Sequence, residues 1–205
     1  MNGKFIVLEG IDGSGKTTIA NKLFKYYESN SAVHTTLCME PSSSSVGRLA
    51  REKLYSELCV QDSFLHLLLA DRAEQNSYRS LLLKAGELIF LDRYYYSTFA
   101  YQSLNYSFKE LDTYHELFKP ALIRPDLTLI IDVPVEIAIR RLNSRQNKSC
   151  FDACKDTTRI CKNYQMIKRL SNFCSKDSII YIDGDRDEAD VFTSCLTEAE
   201  RVLSV

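Results

Sequence analysis

Apolar residues recur along this chain in two alternating rhythms. Five short runs read as strands: Lys4–Glu9, Val33–Met39, Leu88–Asp92, Leu127–Asp132 and Ile179–Asp183. Three of them hold unbroken apolar stretches, Ile6-Val7-Leu8, Leu88-Ile89-Phe90-Leu91 and Leu129-Ile130-Ile131. A strand apolar at consecutive positions hides both faces, as in a parallel sheet covered by helices. Thr35 and Thr36 make the second run more polar and suggest a sheet edge. Between the runs the spacing lengthens to that of a helix, as at Ile19, Leu23 and Tyr27, or at Val191, Cys195, Ala199 and Val202. Strands alternating with helices predict an α/β fold with a doubly wound, five-stranded parallel sheet.

One predicted helix departs from a two-faced pattern. It runs from Asp62 to about Lys84 and contains Phe64-Leu65-His66-Leu67-Leu68-Leu69-Ala70, apolar nearly all round. Such a helix is either central to the domain or buried against another subunit. Asp71 and Arg72 then interrupt the run, as a solvated rim or as a ligand contact.

Between the first strand and the helix carrying Ile19 stands Gly10-Ile11-Asp12-Gly13-Ser14-Gly15-Lys16-Thr17, the pattern G-x-x-x-x-G-K-T, followed by Thr18. Strand, glycine-rich turn and helix start are the context a phosphate loop needs. Glycines let successive N–H groups converge on one anion, and the helix N-terminus adds unpaired donors. Lys16 can reach β and γ phosphates, and Thr17 can place a hydroxyl on Mg²⁺.

Four of the strands end in an acid: Glu9, Asp92, Asp132 and Asp183. Ligands of open α/β sheets bind beyond the carboxyl ends of strands, so the chemistry belongs there. Asp92 can orient Mg²⁺ and Arg93 can pair with a phosphate, unless the two form a structural ion pair. Tyr94, Tyr95, Tyr96, Phe99 and Tyr101 follow; most suit a core, and one or two could line a nucleotide pocket. After Pro134 come Arg140, Arg141 and Arg145, then polar residues to Asp152. A basic stretch between helices, about 141–152, reads as a small lid over phosphates, or as a solvated helix face.

Composition narrows the class. The 205 residues fit one domain, with the lid inside it. A formal net charge of −1 gives no field for nucleic acid. No apolar run reaches the ~20 residues of a membrane span, and Met1-Asn2-Gly3-Lys4 leads straight into a strand without a signal peptide. Seven scattered cysteines predict reduced thiols in a cytoplasmic compartment. Cys150, Cys154 and Cys161 could share a helix face, but no neighbouring histidine supports a metal there. His34, His66 and His115 are isolated and read as structural.

Assembled, the motifs resemble those of thymidylate kinases over nearly the whole chain. The matching pieces are Leu8 to Thr18, Glu40-Pro41, Ala70-Asp71-Arg72-Ala73-Glu74, Asp92-Arg93-Tyr94 with Ser97, Ala100, Tyr101 and Gln102, Pro125-Asp126, Asp132-Val133-Pro134, and Arg141-Leu142-x-x-Arg145. The resemblance implies the P-loop nucleoside monophosphate kinase fold with its lid, and transfer of phosphoryl from Mg-ATP to dTMP. It implies ATP contacts from Gly10, Asp12, Gly13, Ser14, Gly15, Lys16, Thr17 and Thr18, with Thr17 and Asp92 at the metal. Asp12 would face the acceptor's 3′-hydroxyl and assist the metal site. Arg51 and Arg93 would hold the acceptor's phosphate. Arg72, Thr98 and Gln102 would contact thymine, and Tyr101 would press where a 2′-hydroxyl would sit. The phosphate loop contains no arginine, so the chain is similar to the members whose transition-state arginine lies in the lid, here Arg141 or Arg145. Family members pair through the helix carrying Phe64–Ala70, which implies a homodimer.

One position departs from the pattern. The family often carries a phenylalanine four residues before the base-binding arginine, and this chain carries Leu68. That keeps open another acceptor monophosphate. A nucleotide-binding regulatory ATPase is the reading from a different class. A GTPase would carry N-K-x-D, and Asn147-Lys148-Ser149-Cys150 lacks the aspartate.

Overall fold

The computed structural model describes residues 3–56, 60–143 and 156–204. Five parallel strands form one sheet: β1 (Lys4–Glu9), β2 (Thr35–Met39), β3 (Leu88–Asp92), β4 (Leu127–Asp132) and β5 (Ile179–Asp183), in the order β2-β3-β1-β4-β5. The expected α/β fold is thus present, with β1 at the centre. Phe5 to Leu8 are fully buried between β3 on one side and β4 on the other. The chain crosses from one half of the sheet to the other beside β1, the switch point where such sheets bind ligands.

β2 is an edge strand, as its threonines suggested, and it begins at Thr35 rather than Val33. The Val33 N–H donates to Ser31 Oγ at 3.0 Å, so that stretch still belongs to the turn.

The helices are α1 (Lys16–Asn30), α2 (Ser45–Leu54), α3 (Gln61–Lys84), α4 (Tyr95–Gln102), α5 (Phe108–Phe118), α6 (Val135–Asn143), α7 (Thr157–Leu170) and α8 (Glu188–Leu203). Their apolar stripes face the sheet, as Ile19, Leu23 and Tyr27 of α1 do. α5 opens with a capping box, Ser107 with Glu110, a device worth ~1 kcal/mol. Among the described residues, no helix is long and apolar enough to cross a membrane.

Helix α3 corrects one expectation. Asp71 is 1% exposed and is no solvated rim. Its carboxylate accepts from Ser42 N at 2.7 Å, Ser42 Oγ at 2.5 Å and Ser44 Oγ at 3.1 Å, and so shapes the serine loop after β2. Phe64, Leu65 and Leu69 are buried within this chain itself, while Leu67 and Leu68 are half-buried. The exposed side of α3 carries His66 and Ala70 of that run, and Tyr78 and Leu81 beyond it. His115, on a helix of polar sequence, is likewise fully buried, stacked on Phe99 at 4.5 Å.

Candidate active site

The phosphate loop has the backbone its glycines predict. Gly10 and Gly13 hold φ of 144° and 83°. A Cβ on Gly10 would stand 2.6 Å from the Ile131 carbonyl, and one on Gly13 would stand 2.4 Å from the Ala138 carbonyl. The loop is therefore clasped between β1, β4 and α6, with no room for side chains at those positions. Ser14 Oγ is buried there without a partner, and the N-terminus of α1 has no side-chain cap. Thr18 is exposed in the first turn of α1.

Beside the loop lies a knot of charge. Arg93 Nη2 donates to Asp12 Oδ1 at 2.5 Å, and Lys16 Nζ lies 3.7 Å from the same oxygen. Tyr101 Oη donates to Asp12 Oδ2 at 2.9 Å. Arg93 holds φ of 72°, a conformation that costs a residue with a side chain ~1–3 kcal/mol. Its N–H is tied to the Leu8 carbonyl at 3.0 Å, so the end of β1 enforces that turn. Burial by itself would raise the Asp12 carboxyl, but Arg93 and Lys16 outweigh it and hold the group well below the usual carboxylate range. Burial, and then the Arg93 charge, lower the Lys16 ammonium below its ordinary value. Burial and the Asp12 charge push the Tyr101 phenol up, so it stays a hydrogen-bond donor.

Thr17 Oγ1 donates to Asp92 Oδ2 at 2.5 Å. Asp92 Oδ1 is buried without a partner. A hydroxyl and a carboxylate oxygen together fit a hard divalent cation that keeps most of its water and substrate oxygens. Among the described residues, no cluster of three or more His, Cys, Asp or Glu offers an all-protein metal cage.

The knot forms one end of a cleft of about 290 Å³ that continues between α2, α3 and α4. Its wall includes Arg51, Leu68, Arg72, Arg93, Thr98, Tyr101 and Gln102, seven of the expected site residues. Arg51 Nη2 donates to the carbonyls of Pro41 at 2.8 Å and Ser42 at 2.5 Å, which pins it at the cleft edge. Arg72 is 1% exposed. Its Nε donates to Glu40 Oε2 at 2.8 Å and its Nη2 to Thr98 Oγ1 at 3.2 Å. Arg72 Nη1 and Gln102 Nε2 are buried donors without partners.

Arg141 stands elsewhere. From the last turn of α6 it reaches the carbonyls of Gly13 and Ser14 at 3.4 Å and of Gly184 at 3.5 Å, on the far side of the phosphate loop from the cleft. Arg145 and the rest of the expected lid, 144–152, lie outside the described residues, as do Cys150 and Cys154.

Several cleft and supporting residues were not apparent in the sequence. Phe64 lines the cleft one helical turn before Leu68, so an aromatic ring is present after all, displaced by four residues. Glu9, fully buried, accepts from Tyr94 N at 2.7 Å, Ser97 Oγ at 2.7 Å and Tyr164 Oη at 2.8 Å. It anchors the turn that presents Arg93, a structural part for an acid placed like Asp92. Arg79 shares Glu40 with Arg72, binding Oε1 at 2.8 Å. Burial alone would lower the Arg79 guanidinium, but Glu40 more than offsets this and raises it. Losing one member of such a buried ionic set typically costs ~3–5 kcal/mol. The seven-residue spacing from Arg72 to Arg79 puts both on one face of α3, the one signal the sequence carried.

Comparison with known proteins agrees with this geometry. The family model described as thymidylate kinase matches residues 8–193. A probable thymidylate kinase of Pyrococcus abyssi is 38% identical over 178 residues, covering 83% of this chain and 85% of that protein. The probable thymidylate kinase 1 of Saccharolobus solfataricus is 31% identical over 204 residues, 98% of each chain. A thymidylate kinase of Desulfotalea psychrophila is 32% identical over 184 residues, covering 88% of this chain and 84% of that one. With a phosphate loop of this geometry on a chain that the family model matches over residues 8–193 and relatives match at 31–38% identity, this protein belongs to the thymidylate kinase family.

Proposed function

We propose that this chain uses the cleft to hold dTMP and transfers to it the γ-phosphoryl of ATP, giving dTDP and ADP. The observation that carries the acceptor assignment is the pair of unpartnered donors in the cleft wall, Arg72 Nη1 and Gln102 Nε2. A buried donor without an acceptor is costly, about 1–3 kcal/mol. Thymine presents carbonyl oxygens that answer such donors. Cytosine would turn an amino group toward one of them.

The chain's residues then act by position and charge. A phosphate oxygen of the acceptor forms the new bond to the γ phosphorus as the bond to the β-bridging oxygen breaks, and that oxygen leaves with ADP. Lys16, next to Gly15 at the mouth of α1, neutralises charge on the β and γ groups together with the N–H groups of Gly13 and Gly15. Arg93 holds the acceptor's phosphate in line, and Asp12 fixes Arg93 through its ion pair. Arg51 supports the same phosphate from the cleft edge. Arg141, joined by Arg145, supplies charge to the transferring group. Thr17 and Asp92 would hold Mg²⁺, which supplies charge neutralisation across the donor phosphates when bound. Tyr101, locked by Asp12, crowds the sugar where a ribose carries its extra hydroxyl.

We further propose a homodimer paired through the exposed face of α3, where Tyr78 and Leu81 are 62% and 64% exposed. Sedimentation as a monomer at micromolar concentration rejects it. The described free thiols of Cys38, Cys161, Cys174 and Cys195 support a reducing, cytoplasmic setting.

The deciding experiment is an acceptor panel with Mg-ATP: dTMP, dUMP, dCMP, dGMP and UMP. The expected order is dTMP, then dUMP, with the others far behind. Comparable use of dCMP would refute the donor-pair argument.

A further inference from the structure

We infer that Arg79, which lies outside the cleft, is a positioning residue for acceptor recognition, because it keeps Glu40 from chelating Arg72. The inference rests on the proposed dTMP reading of the cleft.

The geometry is a relay along one face of α3. Glu40 has two oxygens and two buried arginine partners. Arg72 takes Oε2 through Nε at 2.8 Å, and Arg79 takes Oε1 through Nη1 at 2.8 Å. Arg79 is itself held by Asn76, whose Oδ1 accepts from the same Nη1 at 2.9 Å. Asn76 is fixed in turn by Tyr94 Oη at 2.7 Å and the Ala121 carbonyl at 2.9 Å. Both guanidinium groups lie near the Tyr94 ring, 5.2 and 5.8 Å from its centroid. Arg79 does not line the cleft, whereas Glu40, Arg72 and Tyr94 do.

The arrangement sets how the Arg72 guanidinium is held. A carboxylate facing one arginine prefers the bidentate fork, two parallel N–H bonds to its two oxygens. That fork would use Arg72 Nη2, the nitrogen on the same edge as the Nε–H, together with Nε. Here the second oxygen is already occupied by Arg79, so Arg72 gives Glu40 a single nitrogen. Nη2 goes to Thr98, and Nη1 is left unpartnered and buried in the cleft wall. With Arg79 neutralised, Glu40 Oε1 is free to rotate onto Arg72 Nη2, compete with Thr98 for that nitrogen and draw the guanidinium toward Glu40, which turns Nη1 from its place in the cleft wall.

The test is steady-state kinetics on Arg79→Gln and Arg79→Lys, with thermal unfolding measured in parallel. The expected result for Arg79→Gln is a KM for dTMP raised tenfold or more, with kcat and the KM for ATP within threefold of wild type. Arg79→Lys keeps a cation on Glu40 and should restore the KM for dTMP to within threefold. A merely structural arginine would lower the melting temperature of Arg79→Gln yet leave the KM of the folded enzyme unchanged, and that result overturns the inference. So does a parallel rise in both substrates' KM values. If Arg79→Gln does not fold, Asn76→Ala loosens Arg79 without removing its charge. A smaller but still selective rise is then expected, and an unchanged KM for dTMP overturns the inference. Wild-type enzyme that ignores dTMP would instead defeat the underlying reading, which keeps the two failures distinct.

Discussion

Arg93 Nη2 lies 2.5 Å from Asp12 Oδ1, so the residue after β3 is tied to the middle of the phosphate loop. One ion pair thereby couples the expected acceptor end of the site to the donor end. Because Lys16 approaches the same carboxylate oxygen, a single aspartate sets the spacing of two cations that would otherwise repel.

Lys16→Ala removes the cation nearest the β and γ phosphates. The loop is packed against β4 and α6, and Lys16 adds one long bond, Nζ to the Ile11 carbonyl at 3.4 Å, so the fold should survive its loss. The expected outcome is loss of phosphoryl transfer with an unchanged circular dichroism spectrum. Retention of more than a tenth of wild-type kcat rejects the role.

Arg141→Ala tests the transition-state charge. The side chain reaches the carbonyls of the phosphate loop, so acceptor KM should change little while kcat falls by ~10²-fold or more. A change confined to KM would mark Arg141 as a ground-state contact.

Tyr101→Phe tests sugar selection. Its ring is anchored by the Asp12 bond at 2.9 Å, which keeps it from yielding to a ribose. Wild type should use dUMP far better than UMP, and Tyr101→Phe should narrow that ratio. An unchanged ratio in the variant assigns the discrimination to another residue.

Leu68→Phe adds a second ring beside Phe64. Aromatic stacking adds roughly 0.5–1.5 kcal/mol beyond burial, a several-fold change in affinity. A several-fold lower KM for dTMP is expected with little change in kcat, since ground and transition states feel the ring alike. A raised KM would show that Phe64 already fills the space.

His115 predicts a pH dependence of stability. Burial, with the Arg72 charge, pushes its imidazole from 6.5 down to about 3, and its Nδ1 donates to the Leu111 carbonyl at 2.7 Å. Between those two values the unfolded chain binds a proton that the folded chain refuses. Stability is therefore unaffected by this group above 6.5 and falls as the pH drops toward 3. At pH 5 the loss is about 2 kcal/mol, 1.5 units below 6.5. Urea unfolding at pH 7 and pH 5 should show it for wild type and a smaller difference for His115→Gln. Equal differences would assign the slope to carboxylates.

The linear chain determined what depends on local chemistry and period. Unbroken apolar runs at Ile6-Val7-Leu8 and Leu129-Ile130-Ile131 specify buried parallel strands, because only such strands hide both faces. Gly10, Gly13 and Gly15 specify the loop, because its backbone angles exclude other residues. What tertiary structure alone decided is which polar groups meet across long separations. Nothing in sequence spacing says that Asp71 serves the serine loop after β2, that Glu9 anchors the turn at Arg93, or that Arg79 shares Glu40 with Arg72. A buried charge is stable only with its partners in place, and those partners come from elements brought together by the packing of the core. The same holds for Phe64, whose ring reaches the cleft only because α3 lies alongside it at that depth.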